Sequence, residues 1–212
     1  MEADEIAVAV RAERQHLCGF LETLDDAEWT APSLCSAWTV REVVAHLTIP
    51  TRASVGFLVV AAIKARGSFH RMIADTARDR AARFTAAELV QQLRESAESS
   101  RRIPGSAPMD PLTDLLVHGQ DIAQALGRAY RVRLDVAVPV LTYVVGNRML
   151  GAPERLLGLE LVATDAEWSS GEGPRVEGSV EDLLLVAAGR PVGLARLSGP
   201  GVEQLVGRLD GR

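Results

Sequence analysis

Two histidines and one aspartate carry the clearest chemical signal in this 212-residue chain. His46 lies in Trp38-Thr-Val-Arg-Glu-Val-Val-Ala-His46-Leu47, and Asp114 and His118 lie four apart in Asp114-Leu-Leu-Val-His118-Gly-Gln-Asp121. Residues four apart on an α-helix sit one turn above the other on the same face. Such a carboxylate–imidazole pair, joined by an imidazole from a neighbouring helix, is how a helical bundle builds a metal site with an open coordination position. The nitrogen and oxygen donors suit zinc, and ligand type leaves nickel, iron and manganese open. Asp121, close to one turn beyond His118, reads as a residue that orients the ring or as a substitute ligand.

Plainer readings exist for each of these residues. A histidine on a helix flank is usually a packed or surface residue with a hydrogen-bond partner. Asp114 falls in the first turn of its helix, where the macrodipole favours a carboxylate. The Asp114/His118 pair can be a helix-face contact only, and Asp121 a solvated carboxylate. His16 and His70 lack partners at matching spacing and read as surface or packing residues. Cys35, three residues before Trp38, reads as a buried inert thiol in preference to a site residue. No glycine-rich phosphate loop, nucleophile elbow or CxxC pair occurs, which disfavours nucleotide, serine-hydrolase and thioredoxin-type chemistry.

The elements that must position the trio are mainly helical. Ile6, Val10, Leu17, Leu21 and Leu24 predict a helix over about 4–24, followed by a loop through Trp29 and Pro32 to Trp38. Thr39-Val-Arg-Glu42 is a capping box. It opens a helix whose stripe is Val40, Val43, Val44 and Leu47, with His46 on the flank beside Val43. Pro50 is expected to kink that helix before it resumes through Phe57 to Ile63. Residues 65–83 are charged with weak periodicity: a lid, a loop or a loosely packed helix. Thr85-Ala-Ala-Glu88 opens a helix expected to reach about Arg102, ended by Pro104-Gly105. Asp110-Pro111 reads as an N-cap with proline at the first helical position. That helix runs to Gly127, and another from Asp135 to about Leu150.

After Gly151 the texture changes. Leu156–Val162 alternates like a strand, Gly171–Pro174 is a turn, and Arg175–Gly178 is a short strand. Ser179 caps a helix to Ala188, Gly193–Leu197 reads as a further strand, and Val202–Leu209 as a last helix. The expectation is a mainly α protein: an up-down helical bundle over residues 1–150, then a small α+β domain over 151–212.

Composition bounds the function classes. The chain is 47% hydrophobic and 24% charged, near the globular average, and long enough for a sizeable core. A net charge of −5 without a basic, aromatic-interleaved stripe gives no footprint for nucleic acid. The longest apolar run, Val55–Ile63, is too short to span a bilayer, so no membrane partner is expected. The acidic N-terminus lacks a signal pattern, and Cys18 and Cys35 fit free thiols in a reducing compartment; a cytoplasmic location follows as an expectation. Lys64 is the single lysine among 23 basic residues, which points weakly to a GC-rich coding genome. Monomer and homodimer remain equally open.

The run Trp29-x-x-Pro32-Ser33-x-Cys35-x-x-Trp38-Thr39-Val40-Arg41-Glu42-Val43-Val44-Ala45-His46-Leu47, with Asp114-x-x-x-His118-Gly-x-Asp121-Ile-x-x-Ala125-Leu126-Gly127, resembles the mycothiol-dependent maleylpyruvate isomerase family, within the wider DinB-like group of metal-binding four-helix bundles. The resemblance extends over the chain, because Leu156–Leu209 is similar to the family's small sterol-carrier-like C-terminal domain. It implies a divalent metal, typically zinc, held by His46, Asp114 and His118. The middle ligand is usually glutamate in the family; Asp114 is one methylene shorter. It also implies mycothiol as thiol cosubstrate, an actinobacterial source, and a site arginine in the C-terminal domain, for which Arg190 is the nearest match.

The resulting expectation is a metal-dependent enzyme that uses a low-molecular-weight thiol on a small electrophilic substrate. In an isomerase the thiolate adds to a conjugated double bond, permits rotation and is eliminated; in an S-transferase the adduct is released. Two alternatives stand beside it: a non-catalytic binding or regulatory member of the same fold, and a metal-dependent hydrolase that needs no thiol.

Overall fold

The structure, a computed structural model, describes residues 1–35, 38–103 and 105–209. The chain divides into two compact units, 2–129 and 130–212. The helix that follows residue 130 belongs with the C-terminal unit.

In the N-terminal unit, α1 spans Ala3–Leu21 and buries Ile6, Val10, Leu17 and Leu21 along one stripe. Where a loop was expected, Asp25 accepts from the Glu28 N–H and Glu28 reaches back to the Asp25 N–H, a capping box that starts the short α2, Asp26–Thr30. Trp29 on it is buried. Helix α3, Val40–Arg52, begins on the Thr39/Glu42 box and contains Pro50. It ends at an extended Ala53, and Ser54 caps a separate α4, Val55–Lys64. The charged stretch folds as α5, Phe69–Arg83, which packs on α3.

Helix α6, Ala86–Glu95, opens on the Thr85/Glu88 box and stops short of the expected Arg102. A physical reason is at hand: Arg14 donates to the carbonyls of Ser96 (2.5 Å) and Ser99 (3.0 Å), which a continued helix would need for itself. Of the expected terminator, Pro104 lies outside the described residues, while Gly105 has φ 86°. Helix α7, Asp110–Ala125, has Met109 as its N-cap, so Asp110 is already helical and accepts from the Ala107 N–H at 2.7 Å. Helix α7 packs on α1 and on α3, with Leu112, Leu116 and Ile122 fully buried. α3 therefore meets α7 through the faces that carry His46 and His118.

The C-terminal unit begins with α8, Leu134–Val145, then a 3-10 turn over Arg148–Leu150 and a short α9, Ala152–Leu156. A three-stranded sheet of order β2-β1-β3 follows: β1 is Glu160–Ala163, β2 Ser169–Gly171 and β3 Arg175–Gly178. β1 pairs antiparallel with β2 and parallel with β3. Helix α10, Val180–Ala187, packs on α8, and α11, Val202–Leu209, completes the unit. Gly193–Leu197, expected as a strand, falls largely within a 3-10 helix, Pro191–Arg196, that packs against α10. Gly193 sits so close there that a Cβ would lie 2.7 Å from the Asp182 carbonyl oxygen. The mainly α fold with a small α+β part is as the sequence indicates.

Candidate metal centre

The site begins with how the sequence fixes the approach to α3. The Thr39 N–H donates to Glu42 Oε2 at 2.7 Å, and the Glu42 N–H donates to Thr39 Oγ1, so the first turn is held from both sides. Ahead of it, the Ser33 N–H donates to the Trp38 carbonyl at 2.9 Å and the Trp38 N–H to the Cys35 carbonyl at 3.0 Å. The Leu34 N–H donates to the Asp121 carbonyl at 3.0 Å, pinning the loop to α7. These bonds place Trp38 beside both imidazoles: ring centroids lie 5.1 Å from His46 and 6.3 Å from His118.

His46 and His118 meet edge to face, centroids 5.1 Å apart. Ligand atoms of His46, Asp114 and His118 all lie within 4.8 Å of one another. A tetrahedral cation with bonds near 2.1 Å would set its ligands roughly 3.4 Å apart, so modest side-chain rotation closes the gap.

His118 Nδ1 lies 2.9 Å from Asp121 Oδ2, and Asp121 has no exposed surface. With Nδ1 donating to that carboxylate, Nε2 keeps its lone pair, the tautomer a ligand needs. Asp121 is thus an orienting residue, and the solvated reading is excluded by its burial. His46 Nδ1 is buried without a hydrogen-bond partner among the described residues. Burial, and then the neighbouring His118, push the His46 pKa down to about 3, so its ring is neutral at pH 7. A neutral, half-buried imidazole with a buried, orphaned Nδ1, a carboxylate and a second imidazole held by Asp121 fit a divalent cation on donor chemistry.

Cys35 is where the sequence reading needs correcting. It is half-buried, and its Sγ, with atoms of His118 and Asp121, forms a second cluster within 4.8 Å. The Leu34-to-Asp121 backbone bond draws the thiol to α7. Neither this placement nor the packing of Trp38 on both imidazoles had a sequence signal beyond the Cys35-x-x-Trp38 spacing. His70 is exposed, and His16 lies 3.5 Å from Glu13 on α1; neither belongs to the His46, Asp114 and His118 cluster. Arg190 belongs to the C-terminal unit, where its Nη1 donates to the Ala188 carbonyl at 2.6 Å. No helix among the described residues is long and apolar enough to cross a membrane.

Residues 10–113 match the family described as the mycothiol maleylpyruvate isomerase N-terminal domain. The chain is similar in structure to a crystal structure of the mycothiol-dependent maleylpyruvate isomerase, with TM-score 0.63 and 15% identity, covering 94% of this chain and 93% of that one. A crystal structure of a histidine-to-alanine mutant of the mycothiol-dependent maleylpyruvate isomerase is similar at TM-score 0.61 and 14% identity, over the same shares of the two chains. No curated protein matches the sequence. At these identities the structural likeness carries the fold.

Proposed function

We propose, from the match of residues 10–113 to the mycothiol maleylpyruvate isomerase N-terminal domain and the likeness in fold, that the chain is a metal-dependent enzyme using a low-molecular-weight thiol of the mycothiol type on a small electrophilic substrate, as an isomerase or an S-transferase. The observation that carries this reading is the convergence of His46, Asp114 and His118, with His118 held by a fully buried Asp121. A divalent cation bound there, zinc on the donor set, would lower the pKa of an adjacent thiol and supply a sulfur nucleophile near neutral pH.

The chain's own residues prepare that chemistry. Asp121 fixes the tautomer and ring angle of His118. Burial keeps His46 neutral, so no proton competes for its lone pair at physiological pH. The Trp38 indole covers the imidazoles on one side and limits water there. Arg190 is assigned the role of clamping a carboxylate of substrate or thiol, a task suited to a planar guanidinium. A cytoplasmic location belongs to the same proposal, since the thiol is a reduced cosubstrate.

Elemental analysis after metal-supplemented expression, paired with an assay of maleylpyruvate and mycothiol, tests the reading. Expected are close to one equivalent of metal and a thiol-dependent conversion that chelation abolishes and zinc restores. Full activity after complete demetallation would remove it. Metal content below about a tenth of an equivalent would favour the non-catalytic alternative. Conversion independent of thiol would favour the hydrolase.

A further inference from the structure

The N-terminal unit holds a cavity of about 430 Å³ between α1 and the segment from Ala97 to Pro111, and none of His46, Asp114, His118, Cys35 or Asp121 lines it. That volume lies within the range of small-molecule pockets. Part of its wall is apolar, from Ile6, Val10, Ala97 and Pro111. Four arginines line it, Arg11, Arg14, Arg101 and Arg102, against two carboxylates, Asp4 and Glu98.

The pairing of those arginines is uneven. Arg11 forms an ion pair with Glu98. Arg14, only 4% exposed, has its Nη1 on the Ser96 and Ser99 carbonyls and no carboxylate partner among the described residues. Arg101 donates to the carbonyls of Thr51 and Ala53, and Arg102 to that of Ser106. Three guanidiniums therefore rest on carbonyl dipoles alone. A buried cation without a counter-charge is costly, and burial already lowers the Arg14 pKa. Each guanidinium has five N–H donors; for Arg14, Nε and Nη2 make no hydrogen bond to the described protein.

We propose that this cavity binds a small monocarboxylate with an apolar body, of aromatic or medium-chain type. The carboxylate meets Arg14 and Arg102, and the hydrocarbon lies against Ile6 and Val10. Charge-assisted guanidinium–carboxylate bonds supply orientation, and the apolar wall separates such a ligand from a bare anion. The inference is independent of the metal centre.

Calorimetric titration of the full chain with octanoate, octanol and inorganic phosphate tests it. Octanoate is expected to bind at least about tenfold more tightly than either other probe, the scale of one charge-assisted bond lost or one apolar body removed. Two substitutions at exposed positions on the cavity wall, Ala7→Trp to fill it and Arg102→Glu to reverse a charge, should each weaken octanoate by about tenfold or more while circular dichroism stays unchanged. Arg14→Met should do the same where it folds. Octanol or phosphate binding as tightly as octanoate would overturn the proposal, as would no heat from octanoate at millimolar concentration. Octanoate binding unaffected by Ala7→Trp would place the ligand outside this cavity and equally overturn it.

Discussion

His118 Nδ1 lies 2.9 Å from Oδ2 of Asp121, a carboxylate with no solvent-exposed surface. Three residues apart on α7, the two form a unit in which the acid sets the ring and the ring faces the centre. Replacing Asp121 with asparagine keeps the shape but removes the charge that favours Nδ1–H. Zinc affinity is expected to fall about 10- to 100-fold, the usual cost of losing such an outer partner. Competition against a chromophoric chelator measures it; unchanged affinity would show that His118 does not ligate through Nε2.

Asp114 is the carboxylate of the proposed ligand trio. Asp114→Ala should abolish stoichiometric zinc binding, because two imidazoles alone leave the cation mostly hydrated. Asp114→Glu, which keeps the carboxylate and adds one methylene, should retain it. Metal content by elemental analysis distinguishes the pair, and retention of zinc in Asp114→Ala would contradict the three-ligand set.

The half-buried His46 ring makes stability depend on pH in a defined direction. Its pKa is about 3 in the folded chain against 6.5 when unperturbed. Between those values the unfolded chain takes up a proton that the folded chain refuses, so stability present above pH 6.5 is lost as pH falls toward 3. The slope from one such group is at most about 1.4 kcal/mol per pH unit. In chelator, urea midpoints of the native chain should therefore drop faster between pH 6.5 and 4 than those of His46→Gln. Parallel pH profiles would show that His46 titrates normally.

The start of α3 rests on Thr39 and Glu42, each satisfying a backbone N–H of the other residue. Thr39→Ala is expected to cost about 1 kcal/mol, while Thr39→Ser retains most of the stability. Because Thr39 directly follows Trp38, the alanine variant should also weaken zinc binding while serine should not. Chemical denaturation and chelator competition on the two variants read both effects.

These relationships differ in how far the sequence discloses them. The caps at Thr39 and Thr85 are local, written within four residues, and the helices they open are readable from the chain alone. The Asp114/His118 pair is legible for the same reason: helical period converts spacing into geometry. What is not legible depends on distant partners. α2 is too short for a period to register, and β2, Ser169–Gly171, has no apolar residue and exists through its pairing with β1. The alternation of Gly193–Leu197 suggests a strand, yet close approach to α10 makes a 3-10 helix. Cys35 joins the site because the Leu34 N–H finds the Asp121 carbonyl, a bond between segments far apart in sequence.

That placement of Cys35 separates the two thiols chemically. Cys18 is fully buried, its Sγ is 3.7 Å from the Val90 carbonyl, and burial raises its pKa to about 11. At pH 8 only about one Cys18 in a thousand would be thiolate even where a reagent reached it. Cys35 is half-buried at the edge of the imidazole cluster. Titration of the native chain with a disulfide reagent at pH 8 should therefore give one fast equivalent, lost in Cys35→Ser and kept in Cys18→Ser, with the second thiol appearing only in denaturant. Zinc should slow the fast equivalent, because the reagent must approach past the filled centre. A fast equivalent that survives Cys35→Ser would mean that α1 opens readily enough to expose Cys18, and an unchanged rate with zinc would place the thiol away from the cation.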